Sequence, residues 1–326
     1  MISNPLQHDL EHVLLHTRDL WEELRGNRVF LSGGTGFVGC WLLESFAWAN
    51  DALDLRASAV VLTRDPAAFK RKAPHLASCP AIRLHAGDVG SFAFPADEFR
   101  IVIHAAAEVH KETSVDAVEA GTRRMLAFAR QCSAAKFLFT SSGAVYGNHS
   151  APDYAASKRL AESLCILAAT RYPMECKIAR CFAFAGTYLP IDGQYAFGSL
   201  LRDAMLGQTI RVNGDGTPYR SYLYAADLAI WLWTILFRGK SGKPYNVGSE
   251  RVISIAELAS EIVRNLNPGL HVEIACAPVP GQPEQRYVPS TELTRVELDL
   301  REHIDLREAI LRSARWHGHT VPLGSA

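Results

Sequence analysis

The sequence predicts an α/β fold: a doubly wound parallel sheet covered by helices on both faces, with a smaller C-terminal substrate-binding lobe. Three observations predict it. Apolar strand-like runs alternate with helical segments through the first half of the chain, and a glycine-rich turn joins the first strong strand to the next helix. Beyond residue 185 this alternation ends, and Gly, Pro and Tyr become frequent. Strands that alternate with helices form parallel sheets with both faces covered.

The elements follow from this alternation. Residues 1–26 are expected to form an N-terminal helical extension, because their apolar residues recur at helical spacing. In residues 27–185 the predicted strands are 28–32, 58–63, 81–85, 100–105, 135–141 and 175–183, and the predicted helices are 37–49, 114–132 and 155–171. Residues 186–326 mostly form the smaller lobe, with helices at 196–207, 225–238 and 254–266 and some segments returning to the first domain.

The first strand runs directly into Ser-Gly-Gly-Thr-Gly-Phe-Val-Gly, in which Gly33, Gly36 and Gly39 stand three residues apart. Glycine permits a tight turn and close approach of the backbone to a ligand. The N-terminus of the following helix adds unpaired N–H groups and a positive dipole. At a strand-to-helix junction this pattern predicts a pyrophosphate cradle. Residues 27–185 are therefore expected to form a Rossmann-type dinucleotide-binding domain.

Composition excludes several classes of partner. The chain has 326 residues, 48% of them hydrophobic, and its 34 basic residues balance its 34 acidic residues. This balance indicates neither nucleic-acid nor membrane binding, and the apolar runs are too short or interrupted to span a bilayer. The seven cysteines include no CxxC pair and stand mostly in apolar context. Free thiols in a reducing compartment fit this pattern, so we expect a cytoplasmic protein.

A second motif predicts the reacting groups. Tyr154 and Lys158 are four residues apart in a helical segment, so they share one helix face. A free tyrosine has a pKa of about 10, and work near neutral pH requires a fall of about 3 units, or roughly 4 kcal/mol, which a nearby ammonium favours. Ser142 ends a buried strand, at the edge where such sheets bind ligands. Ser141 and Ser142 could instead simply cap that strand end. We predict that Ser142, Tyr154 and Lys158 act together on a hydroxyl or carbonyl group.

Together these motifs resemble the extended short-chain dehydrogenase/reductases. More narrowly, they are similar to the NAD(P)-dependent nucleotide-sugar epimerase/dehydratase/ketoreductase group. The resemblance covers most of the chain and specifies the family, although not the reaction. Its motifs are Gly33-x-x-Gly36-x-x-Gly39, His104-Ala-Ala-Ala, Ser141-Ser142-Gly-Ala-Val-Tyr146-Gly, Tyr154-x-x-x-Lys158, Arg180-Cys-Phe, Gly214-Asp-Gly, Arg220-Ser-Tyr-Leu-Tyr-Ala-Ala-Asp227, Tyr245-Asn-Val-Gly248 and Arg286-Tyr287.

The resemblance implies a role for each matching residue. Tyr154 would be the acid/base, Lys158 would bind the nicotinamide ribose and tune the tyrosine, and Ser142 would orient the substrate. The remaining cofactor contacts would come from Gly33, Thr35, Gly36, Phe37, Val38, Gly39, Arg64, Asp88 (at the adenine), Val89, Ala105 and Ala106. The substrate would be a nucleotide-diphosphate sugar held by Ser141, Ser142, Arg220 and Arg286, with both arginines on the diphosphate. His104 is expected only to end a buried strand, and no metal site is predicted.

Two departures from the family pattern bear on the reaction. The second strand ends in Thr63-Arg64, where NAD sites usually carry Asp or Glu, so NADP is favoured over NAD, although Asp65 follows directly. Gly143 and Ala144 stand where family members that remove water typically carry an Asp-Glu pair. Neither residue can move a proton, which disfavours a 4,6-dehydratase.

Other departures concern the cleft. Val118 and Ala183 replace two asparagines that are usual in the family, and the second change puts the usual grip on the diphosphate in doubt. Two segments are shorter than is usual in the family: the stretch between Ala107 and Gly121, and the seven residues between Tyr146 and Tyr154. This predicts either a more open but intact site or a poorly active, repurposed protein.

The leading hypothesis is therefore an NADP-linked ketoreductase that acts at C4 of a nucleotide-linked deoxy sugar, with Tyr154 protonating the oxygen. The alternative is a 4-epimerase with tightly held NAD, and a 4,6-dehydratase is less favoured. A second alternative is a non-catalytic cofactor-binding protein. A homodimer is expected through helices 114–132 and 155–171, whose apolar stripes equally suit packing on the sheet.

Overall fold

The computed structural model describes residues 4–106, 115–147, 152–193 and 195–319. The strands, in chain order, are β1 (Arg28–Ser32), β2 (Ser58–Thr63), β3 (Ile82–Ala86), β4 (Ile101–His104), β5 (Lys136–Ser142), β6 (Glu175–Cys181), β7 (Phe184–Ala185), β8 (Ile210–Val212), β9 (Tyr219–Arg220), β10 (Leu223–Tyr224), β11 (Pro244–Val247), β12 (Ile253–Ser254), β13 (Val272–Ile274) and β14 (Arg286–Tyr287). The helices are α1 (Gln7–Thr17), α2 (Phe37–Ala52), α3 (Pro66–Lys72), α4 (Pro74–Ala77), α5 (Val115–Gln131), α6 (Pro152–Arg171), α7 (Ala196–Met205), α8 (Ala225–Arg238), α9 (Ile255–Leu266), α10 (Glu292–Leu298) and α11 (Leu306–Trp316). Short 3₁₀ helices span Arg18–Leu24 and Gly143–Tyr146.

The main sheet has seven strands in the order β11-β6-β5-β4-β1-β2-β3. Every neighbouring pair is parallel. From β1 the chain proceeds outward through β2 and β3, then returns to the other side of β1 at β4. Sheets of this kind bind ligands at the carboxyl ends of the strands, where the order reverses. The predicted doubly wound parallel sheet is therefore confirmed, and its reversal lies between β1 and β4.

Most predicted strands and helices agree with the structure to within a few residues, and three differences are informative. The seventh strand, β11, was not predicted, because four residues in a stretch flanked by glycines give little periodicity. The predicted strand 175–183 ends instead at Cys181, because its partners on both sides stop there, at Ser142 and Val247. Helix α6 begins at Pro152 rather than at residue 155. Proline suits a first helical position, and the earlier start brings Tyr154 into the first turn.

Aromatic rings fix β1 from one face of the sheet. The Phe30 ring centroid lies 4.5 Å from that of Phe128 on α5 and 5.3 Å from that of Phe99. Phe92 stacks on Phe30 at 5.4 Å. All four side chains are buried. Such a cluster holds the strand that leads into the glycine turn in one position, because close-packed rings resist displacement.

Two compact units divide the described part of the chain. The first takes residues up to 181 together with 229–247 and 292–300, and it holds the seven-stranded sheet. The second takes 182–228, 248–291 and the residues from 301 onward, and it holds the small sheets β10-β7, β12-β9-β14 and β13-β8. In the first unit the N-terminal segment is tightly packed, with the buried Trp21 ring 4.7 Å from that of Trp233.

Within the described ranges, no helix combines the length and apolar character needed to cross a membrane. All seven cysteines lie in the described ranges and none of them forms a disulfide; Cys276 is exposed.

Candidate active site

The turn after β1 is built from backbone packed on backbone. Gly33 has φ +76°, and a Cβ there would lie 2.3 Å from the backbone nitrogen of Ala106, at the end of the neighbouring strand. A Cβ at Gly39 would lie 2.2 Å from the carbonyl oxygen of Gly33. At Gly36 the nearest atom would be that same oxygen, at an ordinary 3.4 Å. The fold thus requires glycine at 33 and 39, whereas a Cβ at position 36 would meet little of the protein.

The start of α2 completes this cradle. Gly36 is its N-cap, and Phe37, Val38 and Gly39 form its first turn. The N–H groups of a first turn have no acceptor within their own helix, and they favour anions. Lys72 Nζ donates to the carbonyl oxygen of Thr35 over 2.9 Å, which adds a positive charge beside the turn. The predicted residues therefore fit a dinucleotide pyrophosphate.

The ends of β2 and β3 supply the other predicted cofactor contacts. Arg64 is exposed directly after Thr63, the last residue of β2. The carboxylate of Asp65 accepts from the backbone N–H of Ala68 over 2.9 Å and so caps α3. Asp88 Oδ1 accepts from the N–H of Gly90 over 2.8 Å. The acidic group nearest the end of β2 is thus used to begin a helix.

Three further predicted contacts lie at the same edge of the sheet. Val89 lies against α5, since a Cβ at Gly121 would be 3.1 Å from its Cγ1. Ala105 continues from β4, and its N–H donates to the carbonyl oxygen of Ser32 over 3.0 Å. Ala106 is the residue that crowds Gly33. These positions lie just beyond the carboxyl ends of β3 and β4.

Lys158 is a buried cation on α6. Its side chain is only 2% exposed, and its Nζ donates to the carbonyl oxygen of Thr140 over 3.1 Å. The ammonium lies 5.8 Å from the ring centroid of Tyr154 and 4.8 Å from that of Phe139. Tyr154 itself is half-buried. The structure thus brings the predicted Tyr–Lys pair together on one helix face, at the carboxyl edge of β5.

Burial sets the charge state around this pair. Loss of solvent lowers the pKa of Lys158 to about 8, so the side chain stays mainly protonated at neutral pH. Burial, together with the Lys158 charge, lowers the pKa of His104 to about 3. His104 is therefore neutral, and its Nδ1 hydrogen-bonds with Ser32 Oγ at 2.8 Å. As predicted, His104 is the last residue of a buried strand.

Ser142 ends β5 and also begins the next element. Its Oγ accepts from the N–H of Ala144 over 3.2 Å and caps the 3₁₀ helix. The capping alternative therefore holds for Ser142, alongside any contact with a substrate. Gly143 and Ala144 are both buried in that 3₁₀ helix. No carboxylate occupies those two positions in the turn.

Sequence reasoning missed the partners of Ser141. Its Oγ donates to Glu162 Oε1 over 2.5 Å, and Glu162 forms an ion pair with Arg180. Arg180 in turn contacts Tyr146. A signal was present, because Glu162 follows Lys158 by four residues on the same helix. The sequence pattern alone, however, does not distinguish a buried Glu162 from an exposed glutamate on the surface of a helix.

The two predicted substrate arginines lie on neighbouring strands in the second unit, but the strand register pairs neither of them with the other. Arg220 is in β9 and Arg286 in the neighbouring β14, with Arg286 paired to Tyr219 in the strand register. Arg220 Nη1 donates to the carbonyl oxygen of Tyr219 over 2.8 Å, and its guanidinium lies 6.0 Å from the Tyr287 ring centroid. The two arginines therefore belong to one small sheet.

The structure describes the two short segments beside the predicted cleft only in part. Residues 107–114 and 148–151, on which the predicted opening of the cleft depends, lie outside the described residues. Val118, which replaces an expected asparagine, packs against the hydrophobic core of the first unit.

Comparisons with known proteins agree with this architecture. UDP-glucuronic acid decarboxylase 5 of Arabidopsis thaliana is 25% identical over 312 residues, covering 87% of this chain and 89% of the relative. The structure of Epimerase Mth375 from Methanothermobacter thermautotrophicus superposes with a TM-score of 0.76 at 22% identity, covering 94% of this chain and 96% of that one. DesIV, a dTDP-glucose 4,6-dehydratase from Streptomyces venezuelae solved as a double mutant with NAD bound, gives a TM-score of 0.73 at 21% identity, covering 89% and 97%.

A family model decides the assignment. The model of the NAD dependent epimerase/dehydratase family matches residues 29–248, which is more than half of the chain and includes the glycine turn, Ser142, Tyr154 and Lys158. The resemblance inferred from the motifs is thereby confirmed. The chain belongs to the NAD dependent epimerase/dehydratase family, within the extended short-chain dehydrogenase/reductases.

Proposed function

We propose that this protein is a ketoreductase that reduces the C4 carbonyl of a nucleotide-linked sugar. The observation that carries the proposal is the Tyr154–Lys158 pair, in which a buried ammonium lies 5.8 Å from a half-buried phenol ring. The names of the relatives support the substrate class, since both the decarboxylase and the dehydratase act on nucleotide-linked sugars. The bound nicotinamide would supply the hydride.

The residues of the chain would handle the proton. Tyr154 would donate its phenolic proton to the carbonyl oxygen as the alcohol forms. Lys158 would stabilise the resulting phenolate, because an opposite charge nearby favours the ionised form. Ser142 would hydrogen-bond the same oxygen and hold it against Tyr154. This proton transfer requires no other acid or base in the turn after β5.

The turn after β5 supports reduction without elimination. Loss of water from a sugar needs a group that removes one proton and another that protonates the departing oxygen. Gly143 and Ala144 carry no such group, and both are buried in the 3₁₀ helix. A 4,6-dehydratase is therefore the weaker alternative, even though relatives of this chain carry that name.

The end of β2 supports NADP as the preferred form of the cofactor. Arg64 is exposed after the uncharged Thr63, and Lys72 places a second cation on Thr35 of the glycine turn. Asp65, the acidic group that would repel a 2′-phosphate, is hydrogen-bonded as the cap of α3. Two cations beside a phosphate site favour the doubly charged ester.

Two further elements belong to the proposal. Arg220 and Arg286 would bind the sugar diphosphate, because a guanidinium group binds phosphate through two hydrogen bonds and keeps its charge. A homodimer through α5 and α6 is supported by exposed apolar side chains on α6, where Ile166 and Leu167 are 40% and 43% exposed. The free cysteines support a reducing, cytoplasmic setting.

A 4-epimerase is the second candidate. It would use the same Ser142, Tyr154 and Lys158, oxidising C4 and then reducing it from the opposite face. A structure of an NAD-bound family member supports it, because an epimerase keeps its cofactor through the cycle. A reductase consumes one reduced cofactor for each product, whereas an epimerase consumes none.

One experiment separates these candidates. The purified protein is mixed with a nucleotide-linked 4-keto sugar and either NADPH or NADH. The loss of the absorbance band of the reduced nicotinamide, at roughly 340 nm, is then compared with the amount of product formed. We expect stoichiometric consumption, faster with NADPH. Interconversion of two nucleotide sugars by NAD-loaded protein, without added reductant, would show an epimerase instead.

A further inference from the structure

A line of hydrogen bonds in the first unit connects the end of β5 with α6, β6, the 3₁₀ turn and β11. Ser141 Oγ donates to Glu162 Oε1 over 2.5 Å. Arg180 Nε and Nη2 donate to the two carboxylate oxygens of Glu162 over 2.9 and 2.6 Å. Arg180 Nη1 donates to the Tyr146 hydroxyl over 2.8 Å, and that hydroxyl donates to Asn246 Oδ1 over 3.0 Å. Glu162 connects Ser141 to the other three residues of this line.

Burial of the Glu162 carboxylate costs free energy, which its hydrogen-bond partners offset. Its side chain is buried, and a buried carboxylate must be paired to remain charged. Arg180 meets it with a two-pronged contact, the geometry in which guanidinium and carboxylate bind most strongly. The hydrogen bond to Glu162 raises the pKa of Arg180 further above its ordinary value. Arg180 therefore stays positively charged beside this carboxyl group.

Glu162 is linked to the neighbourhood of the reacting residues along two elements, α6 and β5. Along α6 it follows Lys158 by four residues, so the two side chains share a face. Across to β5 it accepts from Ser141, the residue directly before Ser142. One side chain thus connects the strand end that carries Ser142 to the helix face that carries Lys158.

The charge of Glu162 also acts on Lys158. The titratable groups that face this ammonium are Tyr154, Cys165 and Glu162 on its own helix, His104 from β4 and Cys181 from β6. Burial raises the pKa of Cys181 to about 12 and that of Cys165 well above its ordinary value. Both thiols, like His104, are therefore uncharged near neutral pH. Glu162 is a negative charge that offsets part of the effect of burial on Lys158.

We propose that Glu162 is a positioning residue of this site: it fixes the end of β5 against α6 through Ser141, and its negative charge holds the Lys158 ammonium in place. Arg180 and Tyr146 keep Glu162 itself in position. The inference rests on the proposed function, because Ser142 and Lys158 are assigned there.

The test compares two variants with a matched control. Glu162→Gln removes the charge and keeps an oxygen that can accept from Ser141, whereas Ser141→Ala removes the hydrogen bond and keeps the charge. Glu175→Gln is the control, since Glu175 also pairs with a buried lysine, Lys177, but begins β6 at the opposite end of the sheet. For each protein kcat, KM, the thermal midpoint and the pH dependence of dinucleotide affinity are measured.

We expect Glu162→Gln to lower kcat about ten- to a hundredfold with KM within about twofold. The alkaline midpoint of dinucleotide binding should move down by about one pH unit, because Lys158 loses an attracting charge. Ser141→Ala should lower kcat as well but leave that midpoint unchanged. Glu175→Gln should change neither.

Other results would overturn the proposal. It is wrong if Glu162→Gln lowers the thermal midpoint yet matches Glu175→Gln in kcat and in the pH profile. Should Glu162→Gln fail to fold, an undiminished kcat in Ser141→Ala would refute it. Should the wild-type protein turn over no nucleotide sugar, the proposed function fails, while the pH dependence of dinucleotide binding still tests Glu162.

Discussion

The turns that follow β1 and β5 both lie at the carboxyl edge of the same parallel sheet, but they are held in different ways. After β1 the constraints are backbone contacts. A Cβ at Gly33 would meet Ala106 at 2.3 Å, and one at Gly39 would meet the Gly33 carbonyl at 2.2 Å. Residues next to each other in the motif, together with one neighbouring strand end, are enough to define this turn.

After β5 the constraints are side-chain hydrogen bonds from distant parts of the chain. Ser142 caps the 3₁₀ turn itself, but Ser141 is held by Glu162 and Tyr146 by Arg180. Asn246, a hundred residues away in sequence from Tyr146, accepts from the tyrosine hydroxyl. The turn after β1 is thus held mainly by its own residues, whereas the turn after β5 depends on side chains from other elements.

The largest expected effect is the loss of turnover in Tyr154→Phe. The variant removes only the phenolic oxygen, so it should lose about 100- to 10,000-fold in kcat, as expected when the acid of a proton transfer is deleted. The affinity for the dinucleotide, measured by quenching of tryptophan fluorescence, should stay within about twofold, because the glycine turn is untouched. Such a result would show that dinucleotide binding depends on the turn after β1, whereas proton transfer depends on Tyr154.

Tyr195→Phe is a suitable control, because that tyrosine lies in the second unit, immediately before α7. It should keep its turnover. If Tyr154→Phe reduced the ketone as fast as the wild-type protein, the proposed acid would be another group, or the protein would be a cofactor sensor.

The contrast between the turns also explains what sequence reasoning could and could not find. The glycine turn, six of the seven sheet strands and the Tyr154–Lys158 pair follow from local spacing, because periodicity and glycine geometry act over a few residues. Glu162 was missed since its role depends on Ser141 and Arg180, each about 20 residues away in sequence. β11 was missed since only its pairing with β6 makes four residues a strand. Long-range partners leave no local pattern.

The second prediction breaks the turn after β1 and compares two glycines within it. Gly33→Ala should cost about 4 kcal/mol of unfolding free energy, because φ is +76° and the added methyl group overlaps backbone at 2.3 Å. Gly36→Ala should keep nearly all of its stability, since its Cβ meets only one atom, at 3.4 Å. It should nevertheless weaken dinucleotide binding about tenfold or more, because the methyl group occupies the open side of the cradle.

Chemical denaturation and dinucleotide titration of both variants check this. Equal stability losses at the two positions would contradict the distinction between a glycine required by the fold and one required by a ligand. Unchanged affinity in Gly36→Ala would place the pyrophosphate elsewhere.

The third prediction is a pH dependence that only the turn after β5 should show. In the unfolded chain Lys158 keeps its proton up to its ordinary pKa of 10.5, whereas in the folded protein the pKa is about 8. Between these values the unfolded state binds more protons, so the free energy of unfolding rises with pH across this window. Below about pH 8 the full penalty of burying the ammonium is present, and it is relieved as pH rises. The expected gain is on the order of 3 kcal/mol.

Replacing the lysine isolates this contribution. Lys158→Met fills the same space without a charge, so the stability of the wild-type protein relative to this variant should improve steadily from pH 8 to about pH 10.5 and stay level below pH 8. Urea denaturation of both proteins at several pH values gives the difference, in which other titrating groups cancel. A difference that stays level, or that falls with rising pH, would mean that Lys158 is not held as a desolvated ammonium in the folded protein. Its partnership with Tyr154 would then lack the physical basis argued above.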